Sequence, residues 1–358
     1  MIKLIKPYID YNEVEEDLKQ VFATKQFTKG PFVNQFSNAL AEYTKVKYVH
    51  LTTSATTALS TCLALINVKK GDEVIISDFS FPATANVVEN TGAKPVFVDV
   101  DLATYNMEAA NLESAITPKT KAIIFVDALG NPSNLLDIKA ICQKHHIVLI
   151  EDAACSIGSS INNTKVGTIA DLTCFSFHPR KLLTTGEGGA ILTNNSEWNE
   201  QLKILLNHGA TITNNQPLFI SSGYNYRLPD ISCVIGIHQL KKLDSIIEKR
   251  QKMKDEYVKA LAPLGYQIQK VNNDTKHNLQ SIVFTTPKYV DRDRLIQYLF
   301  AKKIETTIGT YSLSQTPYYL EKYQSPQSNS KHLQNITITL PCHDDVPIDY
   351  ITEIIKKY

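Results

Sequence analysis

The stretch FSFHPRKLLTTGEGGAI, residues 175–191, places Lys181 in an apolar, strand-like run just ahead of Gly186-Glu187-Gly188-Gly189. Lysine ordinarily stays in water. One drawn inward is paired with a charge, snorkels or caps a carbonyl, or is bonded to something. The glycine run taken alone is a turn before a strand. What surrounds the stretch decides among these readings.

Working outward, short β-branched runs alternate with helix-like segments. YVHLTT (48–53), DEVIIS (72–77), PVFVDV (95–100), KAIIFVDA (121–128), IVLIED (147–152), DLTCFSF (171–177) and GGAILTN (188–194) are the strand candidates. Apolar strands separated by helices predict an α/β, three-layer chain with a mostly parallel sheet covered on both faces. Ligands of such sheets bind beyond the carboxyl ends of the strands. Ser54 and Thr56, Asp78 to Pro82, and Asp152 stand at those ends. The rhythm changes near residue 230, where apolar residues at 237, 240, 243, 246 and 247 take helical spacing over a segment long enough for two helices or one bent one. After about residue 263 the mixed pattern predicts a smaller α+β domain. The expected division is 1–245, with an N-terminal arm, and 246–358. QSPQSNSK (324–331) reads as a mobile loop.

Composition narrows the function classes. The 358 residues carry a net charge of +1 with no long run of one sign, which gives no nucleic-acid or membrane-surface signature. No run reaches the apolar length of a membrane span, and the amino terminus lacks the apolar core of a signal peptide. The six cysteines are scattered without C-x-x-C spacing, as reduced thiols of a cytoplasmic protein would be, and they do not cluster with the nine histidines into a metal site.

A lysine bonded to an aldehyde cofactor, pyridoxal 5′-phosphate (PLP), requires three partners. A carboxylate must face the ring nitrogen, and Asp152 ends the buried-looking strand IVLIED. A helix start must hold the phosphate, and Ser54-Ala55-Thr56 opens a helix after a strand. A flat side chain must cover the ring, and Phe81 follows the second strand. Ser176 is near enough in sequence to Lys181 to add a phosphate donor. Each piece alone has a plainer reading: an N-cap, a turn, a core residue. Their conjunction in this order carries the argument.

The chain resembles the DegT/StrS family of PLP-dependent sugar aminotransferases, of the aspartate aminotransferase type of fold (fold type I). The resemblance runs over essentially the whole length. It rests on FTKGPFVNQFSNALAEY (27–43), TTSATTAL (52–59), DFSFPATANVVENTGAKPVFVDVD (78–101), IEDAACSIGS (150–159), the 175–191 block and GYNYRLPDISCVIGIHQLKKLD (223–244). It implies that Lys181 carries the cofactor and Asp152 pairs with the pyridine nitrogen. Ser176 and the Ala55 and Thr56 amides would take the phosphate, and Phe81 would stack on the ring. Asn225 would reach the phosphate in the neighbouring subunit of a homodimer with shared active sites. L-Glutamate would be the amino donor and a nucleotide-linked keto-sugar the acceptor. Thr28, Lys29, Gly30, Arg227 and Tyr311 fall where family members meet substrate; His178 either touches substrate or packs.

Three positions depart from the family pattern. Ala55 stands where Gly is frequent. Cys155 replaces Gln or His near the cofactor's 3-oxygen, and a thiol is a poor donor. Asp127-Ala128-Leu129-Gly130 replaces His-Leu-Tyr-Gly, with no role readable for Asp127. Two alternatives remain: a sugar dehydratase on the same scaffold, whose branch carries histidine in place of the lysine, and a non-catalytic regulator. Lys181 argues against the first, and the intact Lys181, Asp152 and Ser54/Thr56 set argues against the second.

Overall fold

Ile123, Ile124 and Phe125 follow one another in sequence and all are buried, because their strand is covered on both faces. The computed structural model describes residues 1–214 and 216–358. Helices α1 (Tyr11–Thr24) and α2 (Pro31–Thr44) precede β1 (Tyr48–Thr52). Then come α3 (Ala55–Leu65), β2 (Glu73–Ser77), β3 (Phe79–Ser80), α4 (Ala83–Glu89), β4 (Lys94–Val98), α5 (Ala109–Ala115), β5 (Thr120–Val126), α6 (Leu135–His145) and β6 (Val148–Asp152). Two short strands, β7 (Ser160–Ile161) and β8 (Thr164–Lys165), lead to β9 (Leu172–Ser176), β10 (Gly189–Thr193) and α7 (Ser196–Leu205). A hairpin, β11 (Ala210–Thr213) and β12 (Gln216–Phe219), precedes α8 (Asp230–Leu261).

The main sheet has seven strands in the order β1-β10-β9-β6-β5-β2-β4. From β4 to β9 all neighbours are parallel, and β10 alone runs against both of its neighbours. Alternation divides the core. Ile76, Ile124 and Ile150 pack under α3 and α4, while Ile75, Ile123 and Leu149 pack under α5 and α6. This is the three-layer, mostly parallel arrangement read from the sequence.

The carboxyl-terminal part comprises β13 (Gln267–Ile268), β14 (Thr275–Lys276), β15 (Ile282–Thr285), α9 (Arg292–Ala301), β16 (Tyr311–Ser312), α10 (Pro317–Tyr323), α11 (Ser328–Ile336), β17 (Thr337–Leu340) and α12 (Ile348–Lys356). Its sheet, β13-β15-β17, is antiparallel and shares a core with the end of α8. The amino terminus joins it, since Ile2 bridges Ile304. Among the described residues no helix is long and apolar enough to cross a membrane.

Of the two helical alternatives, residues 230–261 form a single helix of 32 residues. Its interior holds no proline, and Gly236 is there because a Cβ would lie 2.5 Å from the Phe36 ring. Within 324–331, residues from Ser328 onward are helix rather than loop. The reason is a cap from far away: the Asp99 carboxylate accepts the N–H groups of Asn329 and Ser330, both at 2.9 Å. A carboxylate there satisfies donors that no helix can bond internally. The expected domain boundary at residue 245 falls inside α8.

Candidate active site

The site is built where β1, β9 and β6 end and β10 begins. Gly189, at the start of β10, pairs with Thr52 of β1 and Ser176 of β9. A Cβ on Gly189 would lie 2.5 Å from the Ser54 carbonyl carbon and 2.7 Å from the Ala55 nitrogen. Only glycine permits that approach, and it brings the start of α3 against the end of β9. Ser54 and Thr57 close α3 reciprocally: Ser54 Oγ accepts the Thr57 N–H at 3.1 Å, and Thr57 Oγ1 accepts the Ser54 N–H at 3.0 Å. The Ala55 and Thr56 N–H groups belong to the first turn, which has no intrahelical acceptors for them. With Ser176 they form a donor set suited to an anion.

Lys181 lies on a turn between β9 and β10, not in a strand. Its own N–H donates to the His178 carbonyl at 2.8 Å. Pro179 precludes continued strand pairing there. Gln280 of the carboxyl-terminal part brackets the lysine: its amide donates to the Arg180 carbonyl at 2.7 Å and accepts the Leu182 N–H at 2.8 Å. Gln239 of α8 holds Thr184 in the same two-sided way. Neither glutamine was singled out from the sequence, because each acts across 55 to 100 residues. Lys181 Nζ donates to Cys155 Sγ at 3.0 Å.

Asp152 ends β6 and is 6% exposed. Thr84 of α4 donates to it at 2.7 Å, and Thr84 is bonded to Ser80 at 2.9 Å. Burial pushes its carboxyl above the ordinary range; the Thr84 hydroxyl, the Lys181 charge and the Ala154 N–H oppose that. A buried acid so placed calls for a cation.

Asp127 and Glu151 lie behind it. Both are buried, and each has one carboxyl oxygen without a bonded donor. Ser156 donates to Asp127, and Thr173 to Glu151 at 2.7 Å. Burial and then the charge of Glu151 push Asp127 well up; burial pushes Glu151 up to about 7. Both carboxyls are thus driven toward the protonated form, Asp127 the more strongly.

The remaining candidates fall into two places. Phe81 and Tyr311 are 64% and 42% exposed, with ring centroids 6.3 Å apart and nearly edge to face. Lys29 and Arg227 line a separate cavity of about 350 Å3 together with His50, Lys203 and Asn207. Lys29 Nζ donates to Asn207 at 2.7 Å, whereas Arg227 Nη1 is buried without an acceptor. Gly30 and Phe32 donate to Asp230, which thereby caps α2, while Thr28 is exposed. His178 accepts the Arg180 N–H at 3.1 Å. Asn225 is exposed, and among the described residues no hydrogen bond joins it to the Lys181 cluster. The largest cavity, about 890 Å3, is lined by Lys165, Lys254, His277 and others and includes none of the candidate residues.

A buried acid lacking a cation, a helix start with free donors beside Ser176, and a lysine on the turn between them fit the ring nitrogen, phosphate and aldehyde of PLP. Residues 8–358 match the DegT/DnrJ/EryC1/StrS aminotransferase family. The chain belongs to this family. Among DegT/DnrJ/EryC1/StrS relatives, GDP-perosamine synthase of Escherichia coli O157:H7 is 31% identical, covering 100% of this chain and 98% of its own. A UDP-4-amino-4,6-dideoxy-N-acetyl-beta-L-altrosamine transaminase of Campylobacter jejuni (serotype O:23/36) is 32% identical, covering 97% and 93%. Spr1654 of Streptococcus pneumoniae, in its PLP form, superposes with a TM-score of 0.94 at 26% identity, covering 99% and 98%. As a member of the DegT/DnrJ/EryC1/StrS family the chain is an aminotransferase, and PLP is its cofactor.

The Asp127–Glu151 pair makes a prediction about stability. A group that holds its proton more tightly folded than unfolded adds stability that is complete below its unfolded pKa and is lost as pH rises through the folded one. For Glu151 that window runs from 4.5 to about 7, and for Asp127 it opens at 3.8 and extends upward. Asp127→Asn keeps the shape and a donor but removes one proton. Its urea unfolding free energy should fall less steeply between about pH 5 and 7 than that of the wild type, by up to about 1.4 kcal/mol per pH unit. Equal slopes would show that Asp127 folds ionised.

Proposed function

We propose that this aminotransferase moves an amino group from L-glutamate to the keto group of a nucleotide-linked keto-deoxysugar, supplying an amino sugar for a surface polysaccharide or glycan. The observation that carries the reading is the half-buried Lys181 amine on a turn beside the buried carboxylate of Asp152. The names of the relatives support the sugar-nucleotide acceptor. A lysine at this position disfavours the dehydratase reading.

When bound, PLP supplies an electron sink. The chain's part is to place groups around it. Asp152 would face the ring nitrogen and favour its protonated form, a cation that would offset the burial of the carboxylate. Thr84 and the Ala154 N–H fix the carboxylate's orientation. The Ala55 and Thr56 amides with Ser176 hold the phosphate, and Phe81 covers the ring. Lys181 Nζ would serve as the general base for the donor's α-proton and, once protonated, as the general acid that gives a proton back. Cys155, within hydrogen-bond reach of Nζ, keeps the amine on the Asp152 side of its turn. The cavity is cationic through Lys29, Lys203 and Arg227, while burial lowers the pKa of His50 to about 4 and leaves it neutral.

We further infer a homodimer with shared sites. Ile212, Leu218, Phe219 and Ile220, on and just after the β11–β12 hairpin, are each more than half exposed. An apolar group of that kind marks a protein contact, and Asn225 follows it by a few residues. The six unpaired cysteines fit a reducing, cytoplasmic setting.

The functional reading is tested by supplying the PLP-loaded protein with L-glutamate and a panel of nucleotide-linked 3-keto and 4-keto sugars, and weighing the product. An aminated sugar is expected, with none from Lys181→Ala; a panel returned unaminated overturns the assignment. Asp152→Asn should lower turnover by at least ~10²-fold, the scale of one preorganised charge contact. Wild-type turnover would remove Asp152 from the mechanism. Lys181→Ala and Asn225→Ala should each be poor, yet after subunit exchange roughly a quarter of all sites should be intact, given random pairing in a two-fold dimer. Activity that stays flat while tagged subunits exchange would place Asn225 in its own chain's site.

A further inference from the structure

The roles above leave one buried carboxylate without a task. Asp78 follows β2, is fully buried, and ends in a nest of hydroxyls rather than beside a cation. Ser312 Oγ donates to its Oδ2 at 2.7 Å, Ser314 Oγ to the same oxygen at 3.0 Å, and Ser330 Oγ does so as well. The Ser314 N–H donates to Oδ1 at 2.6 Å, and the Leu313 N–H to the Asp78 carbonyl at 2.9 Å. Every one of these donors comes from residues 312–330, the segment that the carboxyl-terminal part lays across the large sheet. One side chain thus gathers a segment more than 230 residues away in sequence.

The clamp has a direct geometric consequence. It seats β16 on β3, pairing Ser312 with Phe79 and Tyr311 with Ser80. Tyr311 is thereby held beside Phe81, one residue further on. The same β3 is tied to the catalytic carboxylate, because Ser80 bonds Thr84 and Thr84 donates to Asp152. A short relay of fixed backbone and hydroxyl contacts therefore sets Tyr311 relative to Asp152. Tyr311 remains substantially exposed at its end, beside the Phe81 ring that covers the cofactor. A tyrosine ring suits the C–H face and hydroxyls of a sugar, since it offers apolar area and one polar handle. A dicarboxylate donor asks for cations, and this ring supplies none.

We propose that Asp78 is a positioning residue for the acceptor: it fixes the Tyr311 strand on the Phe81 strand and so sets the wall against which the sugar moiety binds. The proposal rests on the sugar aminotransferase reading. Asp78 makes no contact with substrate; it acts through Tyr311.

The two halves of the reaction separate the two ideas. With the PLP-loaded protein, the absorbance change on adding L-glutamate alone reads the donor half, and its reversal by a nucleotide-linked keto-sugar reads the acceptor half. Asp78→Ala should raise the sugar concentration giving half-maximal reversal by about 10-fold or more, as loss of positioning does, and leave the glutamate dependence within about twofold. Ser312→Ala/Ser314→Ala, which spares the carboxylate, should shift the sugar dependence in the same direction and serves where Asp78→Ala folds poorly. Tyr311→Ala should match Asp78→Ala, and the two together should do no more than either alone, as residues acting through one contact do. Equal losses in both halves for the aspartate and serine variants, or additive effects with Tyr311→Ala, would reduce Asp78 to a structural clamp and overturn its proposed role while leaving the functional reading intact. A wild-type protein that reacts with glutamate but with no nucleotide sugar would overturn both.

Discussion

Asp152 is a charge placed where water does not reach, and much of the molecule is arranged to make that tolerable. It ends β6, the middle strand of the parallel sheet, so its carboxyl emerges between elements that are themselves fixed. Thr84 reaches it from α4, and Lys181 contributes its charge from the turn after β9. The helix start that holds an anion is brought in by the approach of Gly189 to Ser54. Remove the buried acid and these elements still pack; they no longer describe a binding site for a cationic ring.

Three carboxyl groups, Asp127, Glu151 and Asp152, occupy two adjacent strand ends, with Lys181 the one cation acting on Asp152. Three anions in that volume would repel each other severely at low dielectric. Burial and the neighbouring charge of Glu151 push the Asp127 carboxyl well up, toward its neutral form, which eases that repulsion.

The strand rhythm and the sheet class were legible because each is written in consecutive residues. An apolar run of five or six residues ending in Asp or Ser reads as a buried strand with a functional end. What escaped the sequence shares a different trait: a partner far along the chain. α11 begins at Ser328 because Asp99 caps it, and Lys181 sits in a fixed turn because Gln280 holds the carbonyl before it and the N–H after it. A polar stretch such as QSPQSNSK looks like a loop until the distant acceptor is known. The choice between one helix and two over 230–261 rests on burial spread along the whole of α8, which the spacing alone does not show. The surroundings of Lys181 look strand-like from their apolar residues, while Pro179 and the Gln280 bracket make them a turn.

The Gln280 bracket has a consequence for how the enzyme comes into being. During synthesis the large sheet, Lys181, Asp152 and the α3 start all emerge before residue 280, yet the lysine turn lacks its two-sided anchor until β15 and its neighbours have folded back. Contacts closing loops of about a hundred residues form late, because the chain entropy they cost is met only once surrounding packing is in place. The nascent chain therefore holds every reactive group while its amine is still unaimed. Chemical competence arrives as a final step of folding rather than with the residues that perform it, which keeps a reactive amine and an aldehyde cofactor from meeting productively on an unfinished chain.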